Sequence, residues 1–454
     1  MQRTAETYLR RWAQKPDSLR SPLLIRGARQ VGKTYLVEKV GAESFEEVIT
    51  LNFEQVPKAT GCFETLDPIQ IIKNLQVLLG RMITPGKALL FLDEIQMCPE
   101  AILVLRYFKE QLPELAVVAA GSLLEFTLND ESFRMPVGRV EFLYLYPLSF
   151  KEFLLALEEK PLVEWIESFV PSEKNTIPEA IHDKALSLVR DYSMIGGMPE
   201  VVAHYINNRL DTQEFQNQQG KLLLGYRLDF PKYAKSRKQQ LHLNQVFDHL
   251  SQFIAEQVTY SKIAPELTSA YTKEALRLLK LAGLCHFIYG SSGAGIPLGA
   301  NQNPKKLKLL YLDIGLYLRD LKLHPETLLQ KKIDLINSGV LAEQFVGQEL
   351  LTQEPLFENA ELYFWARDKT ASQAEVDYLC QIHDKIIPIE VKAGASKHLK
   401  SMHLFKETYQ SPFGIRISSL PGCSLETPEW KEDRVFSIPL YLTSEVKRLG
   451  FRLI

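Results

Sequence analysis

The 454-residue chain is poor in cysteine, with five scattered residues (Cys62, Cys98, Cys285, Cys380 and Cys423) and no C-x-x-C spacing. That argues against a disulfide framework or a zinc site and suits a reducing cytosol. An excess of one charge is also missing, since 53 Lys and Arg face 55 Asp and Glu. No global field draws the chain to nucleic acid, so any basic surface has to be local. No apolar run approaches the length of a membrane-spanning helix, and residues 1–6 open without the apolar core of a signal peptide. A cytoplasmic location and no membrane partner are expected. Internal repeats and low-complexity tracts are lacking too. What remains is an ordinary globular composition in a chain too long for a single core, which predicts roughly two to four domains.

The chain is organised around Leu23-Leu24-Ile25-Arg26-Gly27-Ala28-Arg29-Gln30-Val31-Gly32-Lys33-Thr34. An apolar run feeds a Gly-x-x-x-x-Gly-Lys-Thr loop, and a helix-like segment comes next. This is a P-loop in its structural context. Gly27 and Gly32 let the backbone curl so that the N–H groups of Ala28, Arg29, Gln30 and Val31 face phosphate oxygens. The helix after the loop adds the positive end of its dipole. Lys33 is expected to reach the β- and γ-phosphates of ATP, and the Thr34 hydroxyl to bind Mg²⁺.

A second strand is expected at 46–53 and a helix at 69–79. Ala88-Leu89-Leu90-Phe91-Leu92-Asp93-Glu94 is an apolar strand ending in two acids, a Walker B pattern. Asp93 is placed to hold the Mg²⁺ shell and Glu94 to orient or deprotonate the attacking water. A further strand at 115–120 runs into Gly121-Ser122, where Ser122 would face the γ-phosphate. Gly-Ser after a strand is also an ordinary turn.

Next come Arg134-Met135-Pro136-Val137-Gly138-Arg139 and, shortly after, Pro147-Leu148-Ser149-Phe150-Lys151-Glu152-Phe153. With Gly-Ala-Arg-Gln-Val-Gly-Lys-Thr, Leu-Asp-Glu-Ile-Gln and Gly-Ser ahead of them, these motifs resemble the prokaryotic AAA-type ATPases allied to the archaeal-ATPase and STAND lineages. The resemblance implies that Arg139 senses the nucleotide charge, in cis or across a subunit boundary; a surface arginine beside a turn is the plain alternative. It also implies a helical lid in which the Gly196-Gly197-Met198-Pro199 motif brings Pro199 near the adenine.

The middle of the chain carries a short basic run, Pro231-Lys232-Tyr233-Ala234-Lys235-Ser236-Arg237-Lys238, which reads as a linker or a phosphate-contacting patch. Amphipathic segments at 243–258, 259–265 and 272–281 precede two strands, 283–289 and 306–312, around a Gly-rich loop. Three helices and a strand pair form a winged-helix pattern, which serves either DNA binding or rigid connection. The last of these helices is only mildly basic (Lys273, Arg277, Lys280).

In the last third, 338–351 is a helix candidate carrying Glu343. A strand, Leu362-Tyr363-Phe364-Trp365, precedes Ala374-Glu375-Val376-Asp377 and then Ile389-Glu390-Val391-Lys392. Residues two apart in a strand share a face, so Glu390 and Lys392 point the same way. If the strands pair as a hairpin, Asp377 converges on Glu390, and the two carboxylates can hold Mg²⁺ while Lys392 orients a water. This resembles the PD-(D/E)XK nuclease superfamily, with Glu343 as the first-helix carboxylate, and the segment looks like the domain of unknown function that comes after this ATPase type. Val376 stands where the pattern has proline. A degenerate binding fold or a solvated charge pair is the alternative.

The expected architecture is α/β: an AAA-type P-loop NTPase core (1–155), a helical lid (156–230), a winged-helix-like module (231–325) and a mixed α/β restriction-endonuclease-like domain (326–454). The leading expectation is an ATPase acting on DNA or RNA, with metal-dependent nuclease output. Its rival is an ATP-gated STAND-like switch that forms a homo-oligomer and whose C-terminal domain binds a protein partner without cleaving. A small-molecule kinase is a third reading, disfavoured by the Asp-Glu strand end.

Overall fold

A computed structural model describes residues 1–129, 133, 138–170, 177–207, 212–323, 339–367, 374–392, 399–421, 424–426 and 434–453. The motif piece 134–137, the polar stretch 171–175, residues 208–211, residue 338 and Cys423 lie outside them. The chain divides into two compact units. The first is Met1–Tyr146 with Leu281–Gly283 and Pro355–Asn359; the second is Pro147–Lys280, Leu284–Glu354 and Ala360–Ile454.

The first unit runs α1 (Thr4–Ala13), β1 (Leu23–Arg26), α2 (Lys33–Ser44), β2 (Glu47–Asn52), α3 (Pro68–Leu79), β3 (Ala88–Asp93), α4 (Pro99–Gln111), β4 (Ala116–Ala120), α5 (Leu124–Leu128) and β5 (Glu141–Tyr144). The strands form one parallel sheet in the order β2-β3-β4-β1-β5. β3 and β4 are buried throughout, as a parallel strand covered on both faces requires. Leu24, Leu90, Leu92, Val117 and Ala119 pack with Ile71 and Leu75 of α3 and Leu105 and Phe108 of α4. The other face receives α2, whose Gly41 lies against Leu89 and Val48. α1 buries Leu9 and Trp12. From the residue before it, the Arg3 guanidinium donates to the carbonyls of Val31 and Tyr146 at 3.0 and 2.6 Å. It thereby braces the loop after β1.

The second unit begins with helices: α6 (Phe150–Ala156), α7 (Lys160–Ser168), α8 (Glu179–Ile195), α9 (Pro199–Asn207), α10 (Thr212–Tyr233), α11 (Arg237–Leu250), α12 (Tyr260–Ile263) and α13 (Ser269–Leu281). β6 (Cys285–Ser291), β7 (Gln302–Tyr311) and α14 (Ile314–Asp320) come after them, then the helix Gly339–Leu351 and β8 (Leu362–Ala366). β9 (Glu375–Ile382) and β10 (Lys385–Lys392) are next, then the helix Lys400–Tyr409, β11 (Gly414–Ser418), β12 (Ser424–Glu426), β13 (Val435–Pro439) and the helix Val446–Phe451. One eight-stranded mixed sheet has the order β12-β13-β11-β10-β9-β8-β6-β7.

Here the structure departs from the expected wing. β6 and β7 do pair antiparallel, but β6 also pairs in parallel with β8 through Ile288↔Leu362, Tyr289↔Tyr363 and Gly290↔Phe364. The strand pair is therefore continuous with the C-terminal sheet, across the expected boundary at 325. The reason is burial: a solvated wing alternates, whereas Leu307–Tyr311 is covered without a break. The mildly basic α13 is engaged in part, with Lys273 and Arg277 left exposed. Arg277 pairs with Glu274 in its own helix, and Lys280 donates to the Tyr289 hydroxyl at 2.6 Å.

The Gly-Gly-x-Pro motif caps a buried polar knot of the second unit. The Gly197 N–H donates to the Asp313 carboxylate at 2.6 Å, and the Leu148 N–H donates to the Gly197 carbonyl at 2.6 Å. A methyl group at Gly197 would lie 2.1 Å from the Leu148 carbonyl oxygen, so nothing larger than hydrogen fits. Asp313 also accepts from the Leu316 N–H and from Gln348, and burial lifts its carboxyl to about 6. Glu349, 1% exposed, accepts from the Phe150 N–H at 2.8 Å. Its second oxygen has no hydrogen-bond partner among the described residues. Burial lifts this carboxyl to about 8. The folded chain thus keeps the proton that the unfolded chain loses near 4.5, and the stability it contributes at low pH is lost as pH rises through about 8. Glu349→Gln is expected to stabilise the second unit at pH 8 by on the order of 1–3 kcal/mol and to change little at pH 4. Urea midpoints at the two pH values check this.

Candidate functional site

The carboxyl edge of the parallel sheet gathers the polar strand ends of the first unit. β1 ends into a loop whose backbone only certain residues can adopt: Gly27 has φ 143°, Gln30 66° and Gly32 94°. A side chain at Gly27 would also strike the Leu145 carbonyl oxygen, 2.2 Å from the position of its Cβ. Gly32 caps α2 directly, so the loop delivers its N–H groups to a helix N-terminus.

Lys33, the first residue of α2, is 7% exposed. Its ammonium donates to the carbonyls of Gly27 and Ala28 at 3.0 and 2.7 Å, folded back over the loop. Burial pulls its pKa down to about 8, against the opposing pull of Glu94 and Asp93. Thr34, one position on, donates its hydroxyl to Asp93 Oδ2 at 3.2 Å. That separation is near the ~3 Å between adjacent oxygens of an octahedral Mg²⁺ shell, so this pair fits the cation. Asn52, at the tip of β2, donates to the same carboxylate oxygen at 3.1 Å, because the β2–β3 register sets it opposite Asp93. Burial, and next the Glu94 carboxylate, push the Asp93 pKa up.

Glu94 turns the chain out of β3 with φ 51°. Its Oε2 accepts from Gln96 Nε2 at 2.6 Å, from the Ser122 hydroxyl at 3.2 Å and from the Ser122 N–H at 3.3 Å. The expected base and the residue expected at the γ-phosphate are thus joined to each other. Arg139 is not with them. It precedes β5, whose register with β1 sets Glu141 beside Leu23, at the amino edge of the sheet. The P-loop leaves the opposite edge, about 13 Å of strand away. Arg139 is half-exposed, 3.4 Å from Glu110. The cis form of the charge-sensor expectation is therefore corrected. Pro199 opens α9 in the second unit, where its motif is tied to Asp313. Asn52, Gln96 and Arg3 escaped the sequence reading. Asn52 was the one with a signal, a polar tip on a strand beside the Asp-Glu strand.

The second unit brings its predicted acids together. β9 and β10 form the antiparallel hairpin, and the Val391 N–H donates to Asp377 Oδ2 at 2.7 Å. Lys392 Nζ lies 2.5 Å from Glu390 Oε1. Burial first, then the Asp377 carboxylate, lift Glu390 to about 7 and Glu343 to about 8. The cluster also holds two residues that the sequence reading left out, Lys308 and Glu375. Lys308 of β7, 1% exposed, sets its ammonium 2.5 Å from Glu375, 3.4 Å from Glu343 and 3.9 Å from Asp377. Burial would lower the Lys308 pKa, and the three carboxylates outweigh it and raise it. Among the described residues no three His, Cys, Asp or Glu side chains are arranged to hold a metal ion.

Residues 19–154 match the family model of the AAA domain. This stretch is an AAA-type P-loop ATPase domain. Residues 186–327 and 338–441 match two further models, each described as a domain of unknown function (DUF8612 and DUF4143). No curated protein matches the chain. Among solved structures, the chain is similar to a Walker-type ATPase of Pyrococcus abyssi, with 14% identity over 70% of this chain and 95% of that one and a TM-score of 0.43. It is also similar to AMPPCP-bound DnaA from Aquifex aeolicus (14% identity, 61% and 87% covered, TM-score 0.29). The Thermotoga maritima RuvB Holliday junction branch migration motor is a third (14%, 63% and 89%, 0.30). These likenesses carry no information about a substrate.

The AAA domain holds its Asp93 carboxylate at a cost, because burial and Glu94 both resist its charge. Stability carried by the protonated form is present below the ordinary aspartate range and lost as pH rises through the raised folded value. Asp93→Asn is therefore expected to raise the thermal stability of the ligand-free protein at pH 8 by about 0.5–2 kcal/mol. Thermal unfolding without nucleotide checks it, and an unchanged or lower midpoint contradicts the stated cost.

Proposed function

We propose that the first unit binds ATP with Mg²⁺ and hydrolyses it, and that the second unit is the output that this cycle drives. The observation that carries the reading is the pairing of Thr34 Oγ1 with Asp93 Oδ2 at 3.2 Å, next to the P-loop and beside Glu94. Backbone N–H groups of Ala28, Arg29, Gln30, Val31 and Gly32 cradle the phosphates. Lys33 leaves the carbonyls of Gly27 and Ala28 and turns to the β- and γ-phosphates. Thr34 and Asp93 hold the Mg²⁺, which neutralises charge on those phosphates. Asn52 fixes the Asp93 carboxylate. Glu94, released from Ser122 and Gln96, orients the attacking water and accepts its proton. Ser122 then faces the γ-phosphate. Arg139 acts on the nucleotide of a neighbouring subunit in a homo-oligomer.

For the output we favour an ATP-gated switch acting on a partner. Lys280 is taken up by Tyr289 inside the second unit, which leaves the exposed Lys273 and the Glu274-paired Arg277 as the cations of that helix that could meet a DNA groove. Action on DNA or RNA with nuclease output is the second reading, supported by the convergence of Asp377 with the Glu390–Lys392 strand.

The test is ATP hydrolysis by the wild type, Lys33→Ala and Glu94→Gln, with and without single- and double-stranded DNA and RNA. Glu94→Gln is expected to bind ATP normally and to lose about 10²–10⁴-fold in kcat. Lys33→Ala is expected to lose ATP binding. Hydrolysis that survives in both variants overturns the assignment. Stimulation by nucleic acid favours the second reading.

A further inference from the structure

We propose that the Lys308 ammonium is the resident cation of the C-terminal carboxylate cluster, standing where a nuclease-like site would take a divalent metal ion. The wild-type cluster then binds no such ion and cleaves no nucleic acid.

The placement supports this. Glu343 comes from the helix Gly339–Leu351, and Glu375 and Asp377 from β9. A cation joining these elements has to stand between them, and Lys308 Nζ does, within 3.9 Å of all three carboxylates. Three further oxygens are engaged in other ways, while Glu390 Oε2 is buried with no hydrogen-bond partner among the described residues. Asp377 Oδ2 accepts from the Val391 N–H, Glu390 Oε1 holds Lys392, and Glu375 Oε2 accepts from Gln257. A metal ion entering here would meet an ammonium in front of it and a second, Lys392, at Glu390.

Lys308 is also held in place. β7 pairs with β6 through Ile288↔Lys308, and the N–H groups of Ala255 and Val258 donate to the carbonyls of Leu309 and Leu307 on either side. The ammonium passes 5.4 Å from the centre of the Phe364 ring. The ammonium itself is covered, with 1% exposure, and swinging into water would abandon three partly exposed carboxylates. Active metal nucleases need the reverse, acids that a hydrated ion and a phosphate can reach. The lysine comes from the strand that the sequence reading assigned to a wing, outside the nuclease-like segment. For that reason the Asp…Glu-x-Lys pattern can be complete while a lysine from outside it stands on the Glu343, Glu375 and Asp377 side of the cluster.

The test uses the full chain without nucleotide, in an Asp93→Asn background that removes the P-loop cation site. Mn²⁺ binding is counted by electron paramagnetic resonance. The wild type and Lys308→Arg are expected to bind no Mn²⁺ that depends on Asp377. Lys308→Met is expected to gain one equivalent, at least about tenfold tighter than any wild-type binding, and to lose it again with Asp377→Asn. Folding of each variant is monitored by circular dichroism. Two results overturn the proposal: wild-type Mn²⁺ binding or metal-dependent cleavage that Asp377→Asn abolishes, or a folded Lys308→Met that gains no Mn²⁺. If Lys308→Met does not fold, the comparison of wild type with Asp377→Asn decides alone. ATP hydrolysis, measured separately on the chain with Asp93 intact, stands or falls independently of these outcomes.

Discussion

A lysine ammonium taken out of water must find oxygen partners, and two such lysines shape the two units of this chain. Lys33 satisfies the requirement with carbonyls of its own loop, Gly27 and Ala28. Carbonyls are neutral, burial dominates, and the pKa falls to about 8. Lys308 satisfies it with carboxylates, whose charges outweigh burial and raise its pKa. The difference has functional weight. A lysine resting on neutral carbonyls can be drawn away by a phosphate, whereas a buried one paired with three acids is held by their charge.

The sheets explain why each lysine met those partners. A parallel sheet sends every strand end to one edge, so Asn52, Asp93 and Ser122 become neighbours although tens of residues separate them. The same rule moves Arg139 away, because it lies ahead of its strand and not after it. The mixed sheet of the second unit has no common edge. Its chemistry gathers where β7 and β9 bring Lys308, Glu375 and Asp377 together, with the Lys308 ammonium beside the Phe364 ring.

Much of the first unit was legible in the sequence because its chemistry is contiguous. Gly27 to Thr34 and Asp93-Glu94 each lie within one short segment, and an apolar strand leads directly into each. Asn52 and Gln96 were less visible, since a polar residue near a strand end has many uses. In the second unit the hairpin of β9 and β10 and the convergence of Asp377 on the Glu390 strand were foreseeable from alternation and spacing. The Gly196-Gly197 pair was visible as a motif, but its partner Asp313 lies more than a hundred residues on. The wing was misread because strand pairing beyond a hairpin leaves no local trace. β6 and β7 look alike whether they end a small module or extend a larger sheet, and only the unbroken burial of Leu307–Tyr311 hints at the second.

The sequence by itself determined the P-loop, the Walker B strand, the acids of the C-terminal hairpin and the lack of any span-length apolar run. These depend on neighbours within a few residues, where backbone geometry and side-chain period act directly. Tertiary structure decided which edge Arg139 occupies, what Glu94 rests on, that Gly197 closes over Asp313, and that a lysine stands among the C-terminal acids. Those outcomes depend on strand order and on the balance of buried charge, and both are set by residues that meet only when the chain has folded.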